Sequence, residues 1–323
     1  MNENEKTLVI GGTGAMGRAV VEQLVRIPGR SVVVPTRDAQ STRARHLQTS
    51  GAVEIVEGEL TDSAWLDGLM GTVDSVFCNT NFFAANSPVA EYELGRAILD
   101  SAHRQRVGRF IWSSLDDALA LTAGTVAVPH YDGKAAVASS INLQRAEEMM
   151  RQVDDGWFTD HVAILTTAPY YENLTSALAP TPGRLTDGRE GITFVLPFGD
   201  GHYPMIALSD IGWFAAYMFT NWQSWGTRDL AVVGDRLSGA DIARTVERHT
   251  GIPAEYRNLP LEVVVASVPE VGHDLAAMSA FLQTRDITTR DRDLTRLRAI
   301  HPALLTFDQW AATAAWPAPA RTR

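Results

Sequence analysis

A chain of 323 residues, 45% hydrophobic and 20% charged, has the make-up of a globular protein with room for one large domain or two unequal ones. Its formal charge of −10 argues against a binder of the nucleic-acid backbone, which needs a basic face. The opening MNENEKTLVI has no apolar stretch of signal-peptide type, and no apolar run approaches the ~18 residues of a membrane span. The lone Cys78 leaves no intramolecular disulfide. These features lead us to expect a cytoplasmic protein with neither nucleic acid nor membrane as partner.

Up to about residue 115, two kinds of segment alternate. TLVI (7–10), SVVVPT (31–36), VEIVEG (53–58), DSVFCN (74–79) and RFIWSS (109–114) are short and rich in Val, Ile and Phe, the pattern of buried parallel strands. Between them lie apolar faces at helical spacing, such as Val20, Val21, Leu24 and Val25. Strand–helix alternation at this interval predicts a doubly wound, Rossmann-type parallel sheet. Cys78 falls in a strand and is expected to be inert core.

A helix is predicted from Lys134 to about Arg151, and HVAILTT (161–167) reads as a sixth strand. APTPGRLTDGREG (179–191), dense in Pro and Gly, reads as a loop over a pocket. DIGWFAAYMF (210–219) reads as a helix, DLAVVG (229–234) as a strand, and 238–251 as a helix capped by Ser238 and stopped by Gly251. The expected division is a nucleotide-binding domain over 1–155, with 205–236 returning to it. A smaller mixed α/β substrate-binding lobe is expected from 156–204 and 237–315, and a frayed tail over 316–323.

The clearest motif is TLVIGGTGAMGRAVVEQL. Gly11, Gly14 and Gly17 fit G-x-x-G-x-x-G, and Gly12, Gly14 and Gly17 fit G-x-G-x-x-G. The motif follows a strand and opens an amphipathic helix, the context it requires. Glycines let the backbone turn tightly and approach a pyrophosphate, and the helix N-terminus offers free N–H groups to the anion. A site for NAD usually has an acid at the end of the second strand. Here Thr36 is followed by Arg37, a natural partner for a 2′-phosphate, and then by Asp38. The expectation is NADP(H).

GGTGAMG, Arg37, the Ser113–Ser114 pair after the fifth strand, HYDGK (130–134), PYYENL (169–174) and LSDIGWFAAYMF (208–219) occur in an order that resembles the NmrA-like branch of the atypical short-chain dehydrogenases. The resemblance spans about residues 5–310. It implies a Rossmann domain with a small α/β lobe and NADP(H) at the strand C-termini. It implies either a reductase, of the kind that reduces quinones or triphenylmethane dyes, or a non-catalytic redox sensor that regulates a protein partner. Carried over, Gly11, Thr13, Gly14, Ala15, Met16 and Gly17 would wrap the pyrophosphate and Arg37 would hold the 2′-phosphate. Glu59 and Leu60 would lie beside the adenine. Asn79, Thr80 and Ser113 would face the ribose and nicotinamide, and Lys134 would bond the nicotinamide ribose. Tyr170, Tyr171 and Asn173 would line the nicotinamide and substrate end, with Tyr171 and Asn173 against the cofactor. The wider superfamily implies a homodimer, which nothing in this chain specifies.

Standard short-chain dehydrogenases use Tyr-x-x-x-Lys, in which the cation lowers the phenol pKa. Here the residue four before Lys134 is His130, while Tyr131 is three before it. Three readings of the catalytic candidates Lys134, His130 and Tyr131 stay open. Lys134 clamps the ribose and water supplies any proton; or His130 is the acid; or the site binds cofactor without chemistry. The other histidines show no metal-ligand spacing, so no metal is expected. The leading expectation is hydride transfer from NADPH to a small conjugated acceptor, such as a quinone, enone, imine or dye-like cation.

Overall fold

The structure, a computed structural model, describes residues 5–49, 51–154, 156–225 and 228–317. It forms two compact units. One comprises the described residues of Met1–Asp117, Pro129–Thr167 and Ile211–Leu230; the other comprises those of Ala118–Val128, Ala168–Asp210 and Ala231–Arg323.

The first unit is built on a parallel sheet. Its strands are β1 (Glu5–Ile10), β2 (Arg30–Thr36), β3 (Val53–Glu57), β4 (Ser75–Cys78), β5 (Arg109–Ser114) and β6 (Val162–Thr166). They lie in the order β3-β2-β1-β4-β5-β6, with Leu230–Ala231 beyond β6. Pairing is parallel from β1 to β2 and β4, from β2 to β3, and from β5 to β4 and β6. Helices α1 (Ala15–Leu24), α2 (Thr42–Gln48), α3 (Ser63–Met70), α4 (Phe82–Ala85) and α5 (Pro88–Arg104) connect the first five strands, and the helix Pro129–Arg151 leads towards β6.

The near-continuous apolar runs explain this sheet. All four residues of β4 and the last four of β1 are buried, as expected for strands covered on both faces. One face packs Leu8, Ile10, Val76, Cys78, Phe110 and Trp112 against Ile98, Leu99, Val137 and Trp157. Cys78 is the expected core residue; burial pushes its thiol pKa up and keeps it neutral. On α1 the buried stripe is Met16, Ala19, Val20, Val21 and Leu24, as the helical spacing requires.

Two sequence expectations are corrected in this unit. The boundary drawn at 155 falls instead after Thr167, because Val162–Thr166 pairs with Phe110–Ser114 along the whole strand. Of 205–236, only Ile211–Leu230 belongs here. In that span Gly212 lies so close to α1 that a Cβ would stand 2.3 Å from the Ala19 carbonyl oxygen.

In the second unit, the segment expected as a loop (179–191) is a β-hairpin. Thr181–Arg184 pairs antiparallel with Glu190–Leu196, which pairs parallel with Ala254–Asn258. The Gly and Pro residues there are turn and edge-strand chemistry. Gly188 takes φ +88° in the turn, and Pro182 sits on the edge strand, where its missing N–H costs no ladder bond. The helix Gly239–Thr250 has the predicted Ser238 cap, completed by Asp241 as a capping box, and ends at Gly251 with φ +70°. The strand expected over 229–234 shrinks to Leu230–Ala231. Residues 318–323 of the expected tail lie outside the described residues.

Candidate nucleotide site

The strand order reverses direction at β1 and β4: the chain runs outward from β1 to β2 and β3, then returns to β4 on the other side. In a doubly wound sheet, the crevice outside the carboxyl ends of the strands at such a point is where ligands bind. Here that crevice holds the glycine turn after β1 and Asn79–Thr80 after β4.

The glycines are sterically enforced. Gly11 has φ +79°, and a Cβ on it would stand 2.2 Å from the Asn79 carbonyl oxygen. A Cβ at Gly12 would meet both Val34 methyls at 2.7 Å, and one at Gly17 would meet the Gly11 carbonyl oxygen at 2.1 Å. Gly14 is different. Its nearest neighbour across that space is the Gly11 oxygen at 3.2 Å, and it lines an open cleft. Protein packing therefore accounts for Gly11, Gly12 and Gly17, while Gly14 keeps space free at the start of α1. No side chain caps that helix, which leaves its first N–H groups for an anion.

The cleft, about 560 Å³, is lined by Thr13, Gly14, Ala15, Arg18, Thr42, Arg43, His46 and Leu47. Arg18 pairs with Glu22 at 3.5 Å, whereas Arg43 has no salt bridge or side-chain hydrogen bond among the described residues. Arg37 is likewise exposed and unpaired. The neighbouring Asp38 turns its carboxylate back on the chain, accepting from the Gln40 N–H at 2.8 Å. The sequence reading missed Arg18, Arg43 and His46. The available signal for Arg43 and His46 was the basic run TRARH at the start of α2, the first helix after the second strand, while Arg18 lies in the helix that the glycine motif opens.

Lys134 is the centre of a closed polar set. Its Nζ stands 2.8 Å from the Thr80 carbonyl oxygen, 2.9 Å from Thr80 Oγ1 and 2.7 Å from Glu91 Oε1. The Thr80 hydroxyl in turn donates to Glu91 Oε1 at 2.5 Å. Two of the ammonium's three donors go to Thr80, and Glu91 supplies the counter-charge. Trp112 lies beneath, with its ring centroid 5.4 Å from Nζ, and its indole N–H donates to the Lys134 carbonyl at 3.1 Å. Glu91 went unnoticed in the sequence because EYELGRAILD reads as an ordinary amphipathic helix with an acid in its first turn.

Two glycines bring Glu91 and Lys134 together. A Cβ at Gly133 would stand 3.1 Å from Pro88 Cα, and one at Gly95 would meet Val137 at 2.7 Å and Trp112 at 2.8 Å. α5 and the 129–151 helix therefore pack closely along the stretch that carries both charges.

That helix begins at Pro129, so His130 and Lys134 are one helical turn apart on one face. His130 is 8% exposed and Tyr131 is 2% exposed. The imidazole lies among Phe82, Phe83 and Tyr131, with ring centroids at 5.9, 5.5 and 4.7 Å. Tyr131, three residues before Lys134 on the same helix, is almost fully covered.

Other expected residues are placed as follows. Ser113 is buried, and its hydroxyl donates to Met16 Sδ at 3.2 Å, so these side chains serve each other and Met16 offers a ligand its backbone alone. Glu59 is exposed beyond β3, and Leu60 packs on the core. Tyr170, Tyr171 and Asn173 belong to the second unit. Tyr171 is fully buried, with its ring against Phe307 and Trp310 and its phenol donating to the Leu305 carbonyl at 3.5 Å. Its expected place against a cofactor is corrected accordingly, since a side chain without exposed surface lines no cleft. Burial also raises its pKa. Asn173 is half-buried in the turn Tyr171–Thr175. Among the described residues no three His, Cys, Asp or Glu side chains gather as a metal site, and no helix is long and apolar enough to cross a membrane.

A β3-β2-β1-β4-β5-β6 parallel sheet with a glycine turn at its switch point defines a Rossmann-type α/β fold. The sequence profile of the NmrA-like family matches residues 3–299, and the chain belongs to that family. Among its relatives is the NmrA-like family domain-containing oxidoreductase himF of Aspergillus japonicus, 27% identical over 289 residues, covering 86% of this chain and 83% of himF. The fold is shared with NmrA, a negative transcriptional regulator solved with NAD (TM-score 0.76, 19% identity) and with NADP (TM-score 0.73, 18% identity). Each comparison covers 97% of this chain and 95% of NmrA. It is also shared with an NADPH-dependent quinone oxidoreductase of Escherichia coli solved with NADPH (TM-score 0.66, 19% identity, 95% of this chain and 98% of that one).

Proposed function

We propose that this protein is an NADPH-dependent reductase that passes hydride to a small conjugated acceptor such as a quinone, enone, imine or dye-like cation. The observation that carries the reading is the site at the switch point. A glycine turn with space kept at Gly14 and an uncapped helix N-terminus adjoins a cleft with two cations, Arg18 and Arg43, and the His46 imidazole. Lys134 and Thr80 stand next to the Asn79 carbonyl that closes the turn. These residues fit a phosphorylated dinucleotide. The backbone of 11–17 would hold the pyrophosphate, Arg37 and Arg43 the 2′-phosphate, and Thr80 and Lys134 the nicotinamide ribose.

When bound, NADPH supplies the hydride. The chain supplies orientation and a dry floor made by Trp112 and the core beneath it. It lacks the Tyr-x-x-x-Lys pair, with His130 standing four residues before Lys134, which suits acceptors that take their proton from water. His130, one turn before Lys134, is the candidate donor. The test is NADPH absorbance against a panel of quinones, enones and dye cations. Turnover that Lys134→Ala abolishes while NADPH still binds supports the reductase.

A second reading, an NADP(H) sensor that regulates a protein partner, is favoured by one feature: the ammonium of Lys134 is already paired with Thr80 and Glu91 inside the protein. No turnover with any acceptor, together with a partner interaction that follows the ratio of oxidised to reduced cofactor, would select it.

A further inference from the structure

Glu91 is 3% exposed, Lys134 is 7% exposed, and their charged atoms are 2.7 Å apart. A buried ion pair is weak evidence for stability, because apolar residues of the same volume often do as well. The Thr80 carbonyl and hydroxyl already give the ammonium two acceptors, and a neutral acceptor would serve its third donor as well as a carboxylate does. What Glu91 adds is charge. It makes the Lys134 set electrically neutral, and Cys78, whose thiol burial keeps protonated, contributes no charge beneath it.

We propose that Glu91, by cancelling the charge of Lys134, sets how the protein ranks the oxidised and reduced forms of its nucleotide. The proposal rests on the cofactor assignment above. The nicotinamide ring is neutral in NADPH and carries a positive charge in NADP+, so the two forms differ by one unit charge at the ring. An uncompensated ammonium at the ribose would repel the oxidised ring and leave the reduced one alone. A compensated ammonium still offers hydrogen-bond geometry but exerts little net field. The sequence places no other carboxylate at Lys134 within the described contacts. The helix packing at Gly95 and Gly133 holds Glu91 there, so the compensation is built into the fold.

The test is calorimetric titration of the full chain with NADP+ and with NADPH at pH 7. Two unit charges on the order of 10 Å apart, at an effective dielectric of ~20, interact strongly enough to change an affinity by about tenfold. Glu91→Gln, which leaves a net positive set, should raise the ratio Kd(NADP+)/Kd(NADPH) by about that factor. Lys134→Met, which leaves a net negative set, should lower it, and the double variant should return it near the wild-type value. A purely structural role would weaken both nucleotides alike and leave the ratio flat. A flat ratio in either single variant that still binds overturns the proposal and leaves the cofactor assignment standing. Wild-type protein that binds neither nucleotide overturns both. Should Glu91→Gln fail to fold by circular dichroism, the direction of the Lys134→Met shift decides alone.

Discussion

Lys134 Nζ and Glu91 Oε1 meet at 2.7 Å across two helices, with the Thr80 hydroxyl closing the ring on both. Both side chains are more than nine-tenths buried, so removing one partner leaves the other charge without compensation. Glu91→Ala should cost about 3–5 kcal/mol of folding stability. Glu91→Leu with Lys134→Met should recover most of that loss, since it restores a neutral, filled interior. Urea melts of wild type and the two variants check this; a double variant as unstable as the single one would show that the pair is not coupled.

The glycine turn makes a prediction that separates folding from binding. Gly17→Ala drives a Cβ to 2.1 Å from the Gly11 carbonyl oxygen, a contact with rigid backbone. It should destabilise the protein by about 2 kcal/mol and abolish nucleotide binding. At Gly14 a Cβ meets protein no closer than 3.2 Å. Gly14→Val should therefore melt within a few degrees of wild type yet bind NADPH at least tenfold more weakly. Thermal melts paired with calorimetry decide between the two outcomes.

Cofactor choice is expected to lie in the two unpaired arginines that follow β2, Arg37 and Arg43. Arg43→Glu and Arg37→Asp should each weaken NADPH by ten- to a hundredfold, the usual range for one charge-assisted phosphate contact, and leave NADH within about twofold. Equal losses for the two nucleotides would remove the 2′-phosphate assignment from that residue.

The hairpin in the second unit carries a pH signature. Glu255 accepts from the Thr186 hydroxyl at 2.6 Å and the Thr186 N–H at 3.0 Å, and with Arg257 beside it its pKa falls from 4.5 to about 2. A carboxylate whose folded pKa is depressed contributes stability that is complete above its unfolded pKa and is lost as pH falls through the folded value. The difference in melting temperature between wild type and Glu255→Gln should therefore be constant above about pH 5.5 and should shrink between pH 4.5 and 2. A difference that does not change over that window would show that Glu255 contributes through packing alone.

The sequence carried the information that is local in the chain. Apolar runs such as RFIWSS and SVVV announce strands covered on both faces, and the interval between them dictates parallel pairing through helices. GGTGAMG announces a turn in which glycines meet backbone, and SGAD announces a capped helix. These are contests between a few neighbouring residues, so a one-dimensional pattern is enough to read them. The same limitation produced the errors. PGRLTDGREG contains the residues of a loop, yet it is a hairpin because Glu190–Leu196 finds a partner in Ala254–Asn258, far along the chain. PYYENL suggested a ligand contact for Tyr171, whose ring is consumed by Phe307 and Trp310.

The sequence alone determined the strand order's repeating unit, the glycine turn and the lysine at its far side. Only the tertiary structure decided what that lysine faces. Glu91 sits in an unremarkable helix, and nothing in its neighbours marks it. It becomes Lys134's counter-charge because Gly95 and Gly133 let two helices approach closely over Trp112, and because a buried ammonium requires a negative partner that only packing can deliver.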